Sequence, residues 1–259
     1  MLGTVILGIG PTRFAAMNLR LYYVKGVPDF VKICPNRSVP AMRMPSAEVV
    51  SFDMNGTLTQ NHFVEALWGE AVPRLYSQVR GLSLEESKVE VYAEYDKVGE
   101  RRVEWYDIKY WFRSLGLGDD WRALLESLQH HVRPYSDASY VLQQLGRRHR
   151  LVVTSNASAE FIEFELGAAR LREYFDSVFS CTSDFGEVKK TPDVYSRVCS
   201  SLGVEPEHMI HIGDHLHFDY LAPQELGIRA FYLDRNASGR TEDFVVRSLT
   251  EFLDRIASV

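Results

Sequence analysis

Four short stretches of this chain carry side chains that could hold a phosphate group beside a divalent cation. Asp53, Asn55 and Thr57 stand in Phe52-Asp53-Met54-Asn55-Gly56-Thr57-Leu58, and Ser155 and Asn156 follow Thr154. Lys189 and Lys190 precede Pro192, and Asp214 and Asp219 frame His215-Leu216-His217-Phe218. Carboxylates are hard oxygen ligands for an ion such as Mg2+, while an ammonium, a hydroxyl and an amide donate to phosphate oxygens. Brought together, these groups would bridge the ion and the phosphate.

To meet, they need elements whose ends reach one edge. Five apolar runs of strand length occur: Val49 to Phe52, Leu151 to Thr154, Val178 to Cys181, Met209 to Ile212 and Ala230 to Leu233. From Leu151 onward the runs recur at helix-plus-strand spacing, the alternation of a parallel sheet with helices on its faces. Ligands of such a sheet bind beyond the carboxyl ends of its strands. Three of the four stretches lie just past a run, and the lysines sit ahead of a helix whose start is marked by Thr191 as N-cap and Pro192 at the first helical position. Ser248 to Glu251 forms a capping box before Leu249, Phe252, Leu253 and Ile256.

Residues 61–135 depart from this alternation and carry helical periodicity alone. Val64, Leu67, Trp68 and Ala71 share a face, as do Trp105, Ile108, Phe112 and Leu115, then Trp121, Leu124, Leu125, Leu128 and Val132. Ser83 to Glu86 is a further capping box. The spacing predicts an insert of about four helices after the first strand. Its aromatic cluster, Trp105, Tyr106, Tyr110, Trp111 and Phe112, is read as packing inside the insert rather than as the lining of a cleft. Residues 1–45, punctuated by glycine and proline, are expected to be a loosely ordered extension, and Met42 or Met44 is an alternative start.

Composition sets the outer bounds. The chain has 259 residues, 46% hydrophobic and 25% charged, the balance of a folded globular protein. A formal charge of -6, from 29 basic and 35 acidic residues, argues against nucleic acid or an anionic membrane as partner. Three cysteines are too few for a disulfide framework, so a reducing, cytoplasmic setting is expected. No uncharged run reaches the ~18 apolar residues of a membrane span. His208, His211, His215 and His217 lack the spacing of a tetrahedral zinc site and are read as packing and surface residues.

In its four motifs, in their order and with a helical insert after the first, residues 48 to 255 resemble the haloacid dehalogenase-like hydrolases. FDMNGTL, the TSN after the second strand, a lysine ahead of a helix, and IGDHLHFD carry the resemblance. It implies an α/β fold: a Rossmann-like parallel sheet core, residues 46–60 and 136–259, with an all-helical cap, residues 61–135. It further implies a Mg2+-dependent phosphatase acting on a small phosphorylated substrate. Asp53 would be the nucleophile, Ser155 a donor to the transferring group with Asn156 and Thr57 also on the phosphate, and Lys189 the lysine joining nucleophile and phosphate. Lys189 is preferred to Lys190 on the family's spacing. Asp53, the Asn55 backbone carbonyl, Asp214 and Asp219 would serve the metal, Asp219 either through water or by orienting the lysine.

One position departs from the family pattern, because Asn55 stands where phosphatases of the family place a second Asp as general acid and base. Such help is worth about 10² to 10⁴ in rate, so slow turnover is expected, with His215 or His217 as substitute proton donors and a gain on Asn55→Asp. Two alternatives remain open at this stage. One is a 2-haloacid dehalogenase, whose halide leaves without a proton, and the other is a catalytically weak phosphate- or partner-binding protein. Asn55-Gly56 also has the composition of a tight turn.

Overall fold

The computed structural model describes residues 47–257. The extension expected at residues 1–45 and the start at Met42 or Met44 lie outside the described residues. Everything below belongs to one unit, Pro45–Val259.

Strands β1 (Val49–Phe52), β2 (Arg150–Ser155), β3 (Ser177–Ser180), β4 (Met209–Gly213), β5 (Arg229–Leu233) and β6 (Val245–Val246) make one sheet in the order β3-β2-β1-β4-β5-β6. Every pairing is parallel. The fold is therefore α/β, and all five apolar runs form strands. Two details differ from the sequence reading. Cys181 starts a short helix instead of ending β3, and the two-residue edge strand β6 is too short to leave a pattern.

β1 is the hinge of the topology. From it the chain moves to β2 and β3 on one side and to β4, β5 and β6 on the other, which opens a crevice at the carboxyl end of β1. Successive residues of a strand face opposite sides, and both sides are covered here. Val50, Phe52, Leu151, Val153, Ile210 and Ile212 pack under Leu142, Leu145 and Phe252. Val49, Val152 and Met209 pack under Val194, Tyr195 and Val198.

Between β1 and β2 the described chain is helical. Helices α1 (His62–Ala66), α2 (Val72–Arg80), α3 (Leu84–Val98), α4 (Ile108–Leu115) and α5 (Trp121–Ser127) form the insert, with a π-helical turn at Leu67–Ala71 and a 3-10 turn at Val103–Tyr106. The capping box at Ser83 and Glu86 starts α3 as its sequence requires. The aromatic residues mostly do what was expected of them: the Tyr95 ring meets Trp111 edge-on at 4.6 Å and Trp68 at 5.9 Å.

The sheet's helices follow: α6 (Ala138–Leu145), α7 (Ala159–Ala168), α8 (Cys181–Phe185), α9 (Pro192–Leu202), α10 (Ala222–Gln224) and α11 (Leu249–Ala257). α9 begins as read, with Thr191 accepting from the Val194 amide and Pro192 in the first turn. At α11, Ser248 accepts from Glu251 N at 3.0 Å while the Glu251 carboxylate reaches Arg247 N instead of Ser248, so only half of that capping box forms. No helix of the described residues is long and apolar enough to cross a membrane.

Phe252 of α11 contacts Phe52 and Phe231 edge-on, at 6.1 and 5.2 Å between ring centroids. It is fully buried and anchors the last helix beneath β1. Phe252→Ala is expected to cost about 3 to 5 kcal/mol of unfolding free energy. In urea titrations this appears as a lower midpoint with little change of slope.

Candidate active site

Asp53 follows β1, and its backbone amide donates to the Ile212 carbonyl of β4 at 2.9 Å. The turn after it is tied by the Gly56 amide to the Thr59 carbonyl at 2.7 Å and by the Leu58 amide to the Met54 carbonyl at 2.8 Å. Gly56 has a positive φ of 84°, and a Cβ there would lie 2.1 Å from Asp214 Oδ2. Glycine is thus required both by the turn and by the carboxylate pressed against it. Gly213, at the end of β4, has the same constraint, since a Cβ would lie 2.3 Å from the Asp219 carboxyl carbon.

Between these acidic loops stands one ammonium, and it is that of Lys190. Its Nζ contacts Asp53 Oδ1 and lies 2.5 Å from Asp219 Oδ1, with only 1% of the side chain exposed. This corrects the assignment of Lys189. The Lys190 amide donates to Asn156 Oδ1 at 2.8 Å, which fixes the loop so that residue 190 faces inward. Lys189 instead donates to the Tyr106 hydroxyl at 2.8 Å and lies over the rings of Tyr106 and Phe218. Tyr106 of the aromatic cluster thus reaches from the insert to Lys189.

The remaining predicted residues gather at the same place or in its walls. Thr57 is buried and donates to Asp53 Oδ2 at 3.4 Å. Ser155 is buried, and its Oγ accepts from the Ala157 amide at 3.3 Å; the N-cap of α7 is Ser158, not Ser155. Asn156 spends its Oδ1 on the lysine loop. Asp214 is exposed, whereas Asp219 is fully buried and accepts from the His215 amide at 2.8 Å as well as meeting Lys190. Asp219 contacts Lys190, not Lys189.

Sequence reasoning missed two buried polar residues. His211, taken as strand packing, joins Asp219 Oδ1 through Nε2 at 3.1 Å and Ser51 Oγ through Nδ1 at 2.9 Å, and Ser51 meets Thr154 at 2.9 Å. A polar residue inside the four-residue apolar run Met209 to Ile212 must find partners, which was the signal available. Glu165 of α7 lies on the helix face of Phe161, Ile162 and Leu166 and is 1% exposed. Its carboxyl accepts from Asn55 Nδ2 at 2.9 and 3.1 Å and from Thr59 Oγ1 at 3.0 Å.

The charges press on one another. Burial pushes the Asp53 carboxyl up to about 6, against the pull of Lys190 and helped by the charge of Asp219. Burial opposes ionisation of both Asp219 and Lys190. Their mutual attraction outweighs it, so Asp219 lies below its ordinary value and Lys190 above. Burial likewise pushes Glu165 up to about 7. His215 is pushed down to about 4, chiefly by burial, and its Nδ1 accepts from the Phe218 amide at 3.3 Å.

Among the described residues, the one cluster with metal-ligand geometry is Asp53, Asp214 and Asp219, whose ligand oxygens lie within 4.8 Å of one another. Three carboxylates against a single ammonium leave uncompensated negative charge and oxygen donors only, a set that fits a hard divalent cation such as Mg2+.

The match to the family model for haloacid dehalogenase-like hydrolases runs over residues 47–227, and the chain belongs to that family. It is 25% identical over 169 residues to the GMP/IMP nucleotidase YrfG of Escherichia coli, covering 64% of this chain and 74% of the relative. It is 29% identical over 167 residues to the phosphoglycolate phosphatase of Aquifex aeolicus, covering 64% and 75%. The crystal structure of a HAD phosphatase from Thermococcus onnurineus superposes with a TM-score of 0.68 at 25% identity, covering 81% of this chain and 97% of that one.

Two outcomes follow from the charge arrangement. Lys190→Met strands Asp53 and Asp219 as unpaired buried carboxylates and is expected to cost about 3 to 5 kcal/mol in denaturant unfolding, whereas Lys189→Met breaks no ion pair and costs far less. The second concerns pH. Asp53 rises from 3.8 unfolded to about 6 folded, so the metal-free fold loses stability as pH climbs through that window. A cation needs the carboxylates ionised, so the rise in Tm caused by Mg2+ should grow from pH 5 to pH 7.5. A shift independent of pH would exclude these carboxylates as the ligands.

Proposed function

We propose that this hydrolase is a Mg2+-dependent phosphomonoesterase of the cytoplasm, acting on a small phosphorylated metabolite through an aspartyl-phosphate on Asp53. The observation that carries this reading is the seating of Asp53: Oδ1 is held by Lys190, Oδ2 accepts a long hydrogen bond from Thr57, and Asp214 and Asp219 stand beside it. Asp53 Oδ2 is the oxygen placed to attack phosphorus. The bond from phosphorus to the ester oxygen breaks as the new one forms, and the alkoxide leaves. Water then attacks the same phosphorus, releasing inorganic phosphate and regenerating the carboxylate.

Lys190 keeps the nucleophile ionised at neutral pH and offers its remaining proton to a phosphate oxygen. Ser155 and the backbone beside Asn156 supply further donors to the transferring group. Asp53, Asp214 and the Asn55 backbone carbonyl would hold Mg2+, with Asp219 acting through Lys190 and the backbone behind them. Bound there, the ion would offset the repulsion between carboxylate and phosphate. The insert would act as a cap. A cleft lined by Tyr106, Lys109, Ser158 and Ser183 lies between it and the sheet's helices.

A dehalogenase reading gains from Asn55, since halide needs no proton. It leaves unused the gathering of Asp214 against Gly56 and Asp53, and the phosphatase reading accounts for both.

Phosphate release should be measured from nucleoside monophosphates, phosphoglycolate, sugar phosphates and p-nitrophenyl phosphate, with and without Mg2+, and with Asp53→Asn as the blank. Release that needs both the ion and Asp53 is the expected result. Silence across the panel would overturn it and move the weight to 2-haloacids or to phosphate binding without turnover.

A further inference from the structure

Asn55 and Glu165 are 110 residues apart in the chain and meet as donor and acceptor, Glu165 buried and Asn55 partly so. Both oxygens of Glu165 accept from Asn55 Nδ2, and Thr59 Oγ1 donates to Oε2 and lies 3.4 Å from the same Nδ2. Among the described residues no cation is paired with Glu165, so its carboxyl rests on these two neutral donors alone. The polarity of the pocket is thereby set: the residue at position 55 has to donate. An amide does so directly, whereas an aspartate there could meet Glu165 only by sharing a proton with it.

We propose that Glu165 is a positioning residue for the reaction at Asp53, clamping the Asn55 amide so that Oδ1, an acceptor, is turned away from the pocket and presented at the site. Asn55 is then one half of a matched pair and not a general acid that has been lost. Charge drawn from Glu165 through the amide makes Oδ1 the stronger acceptor, suited to orienting a water molecule but unable to deliver a proton. The class of substrate follows. With no proton to give the leaving oxygen, the site favours phosphates whose leaving group departs as a stable anion, such as acyl or aryl phosphates, over simple alkyl esters.

On this reading Asn55→Asp by itself does not raise turnover, the opposite of the sequence expectation. The substitution sets a second carboxyl against Glu165, so the pair must either repel or take up a shared proton, and the cost falls on folding and on geometry together. The change has to be made in both partners. Asn55→Asp with Glu165→Gln reverses the donor and the acceptor, keeps the hydrogen bonds and places a carboxyl at position 55.

The inference rests on the phosphatase reading for its kinetic readout and not for its structural one. Wild type, Asn55→Asp, Glu165→Gln and the double variant should be compared by thermal unfolding without metal and by Mg2+-supported hydrolysis of p-nitrophenyl phosphate and glycerol 2-phosphate. Asn55→Asp should lower Tm, and Glu165→Gln in its background should restore it. The double variant should narrow the aryl-to-alkyl ratio of kcat/KM by about tenfold or more, through kcat rather than KM. Asn55→Asp unfolding no earlier than wild type, or a double variant that is simply additive, would overturn the pairing. Restored Tm with an unchanged ratio would reduce Glu165 to a structural residue. Should neither ester turn over, the side-chain amide signal of Asn55, assigned by its absence from Asn55→Asp, reads the clamp directly. It should be protected from hydrogen exchange in wild type and unprotected in Glu165→Ala, and an unprotected wild-type amide would dispose of the proposal.

Discussion

A single ammonium in a nearly dry pocket between two carboxylates is the constraint around which this fold closes. Lys190 has no water to fall back on, and neither has Asp219. Each is tolerable only because the other is there. That pairing dictates the backbone around it. The loop before α9 is anchored to Asn156 so that Lys190 faces in, and Gly213 lets Asp219 approach β4. The carboxyl end of β1 delivers Asp53 to the remaining side of the cation. The central position of β1 in the sheet is what makes these approaches possible, since β2 and β4 flank it directly.

The ion pair continues into the sheet as a line of hydrogen bonds. Asp219 meets His211 on β4, His211 meets Ser51 on β1, and Ser51 meets Thr154 on β2. The three strand residues lie on the face that is otherwise filled by Val49, Val152 and Met209. Buried polar groups of this kind are favourable when every member is satisfied and costly when one is not. The network therefore holds β2, β1 and β4 in one register at the level of the site, and the placement of the catalytic loops inherits that precision.

Much of this was legible in the sequence because it is local. Apolar runs bounded by polar turns gave the five longer strands, a capping box and a Pro at the first helical position marked helix starts, and the departure from alternation after Asn61 revealed the helical insert. What escaped was decided by tertiary contact. Neighbouring lysines point in opposite directions, and only the hydrogen bond from the Lys190 amide to Asn156 tells which one faces the nucleophile. Glu165 looks like an ordinary helix carboxylate until its face is plotted with Phe161, Ile162 and Leu166. Its partner is then beyond any local rule. Asn55 read alone was a missing aspartate. Beside Glu165 it is the donor that the pocket requires.

The contact between Lys189 and Tyr106 has a consequence for motion. An ammonium set against a phenolic oxygen and two ring faces has surrendered most of its hydration for partners that return only part of it, and desolvation holds its pKa below the usual lysine value. Any displacement of the insert from the sheet would hand that ammonium back to water. The join at this point is thus self-limiting: closing it is opposed by the same hydration that rewards opening it.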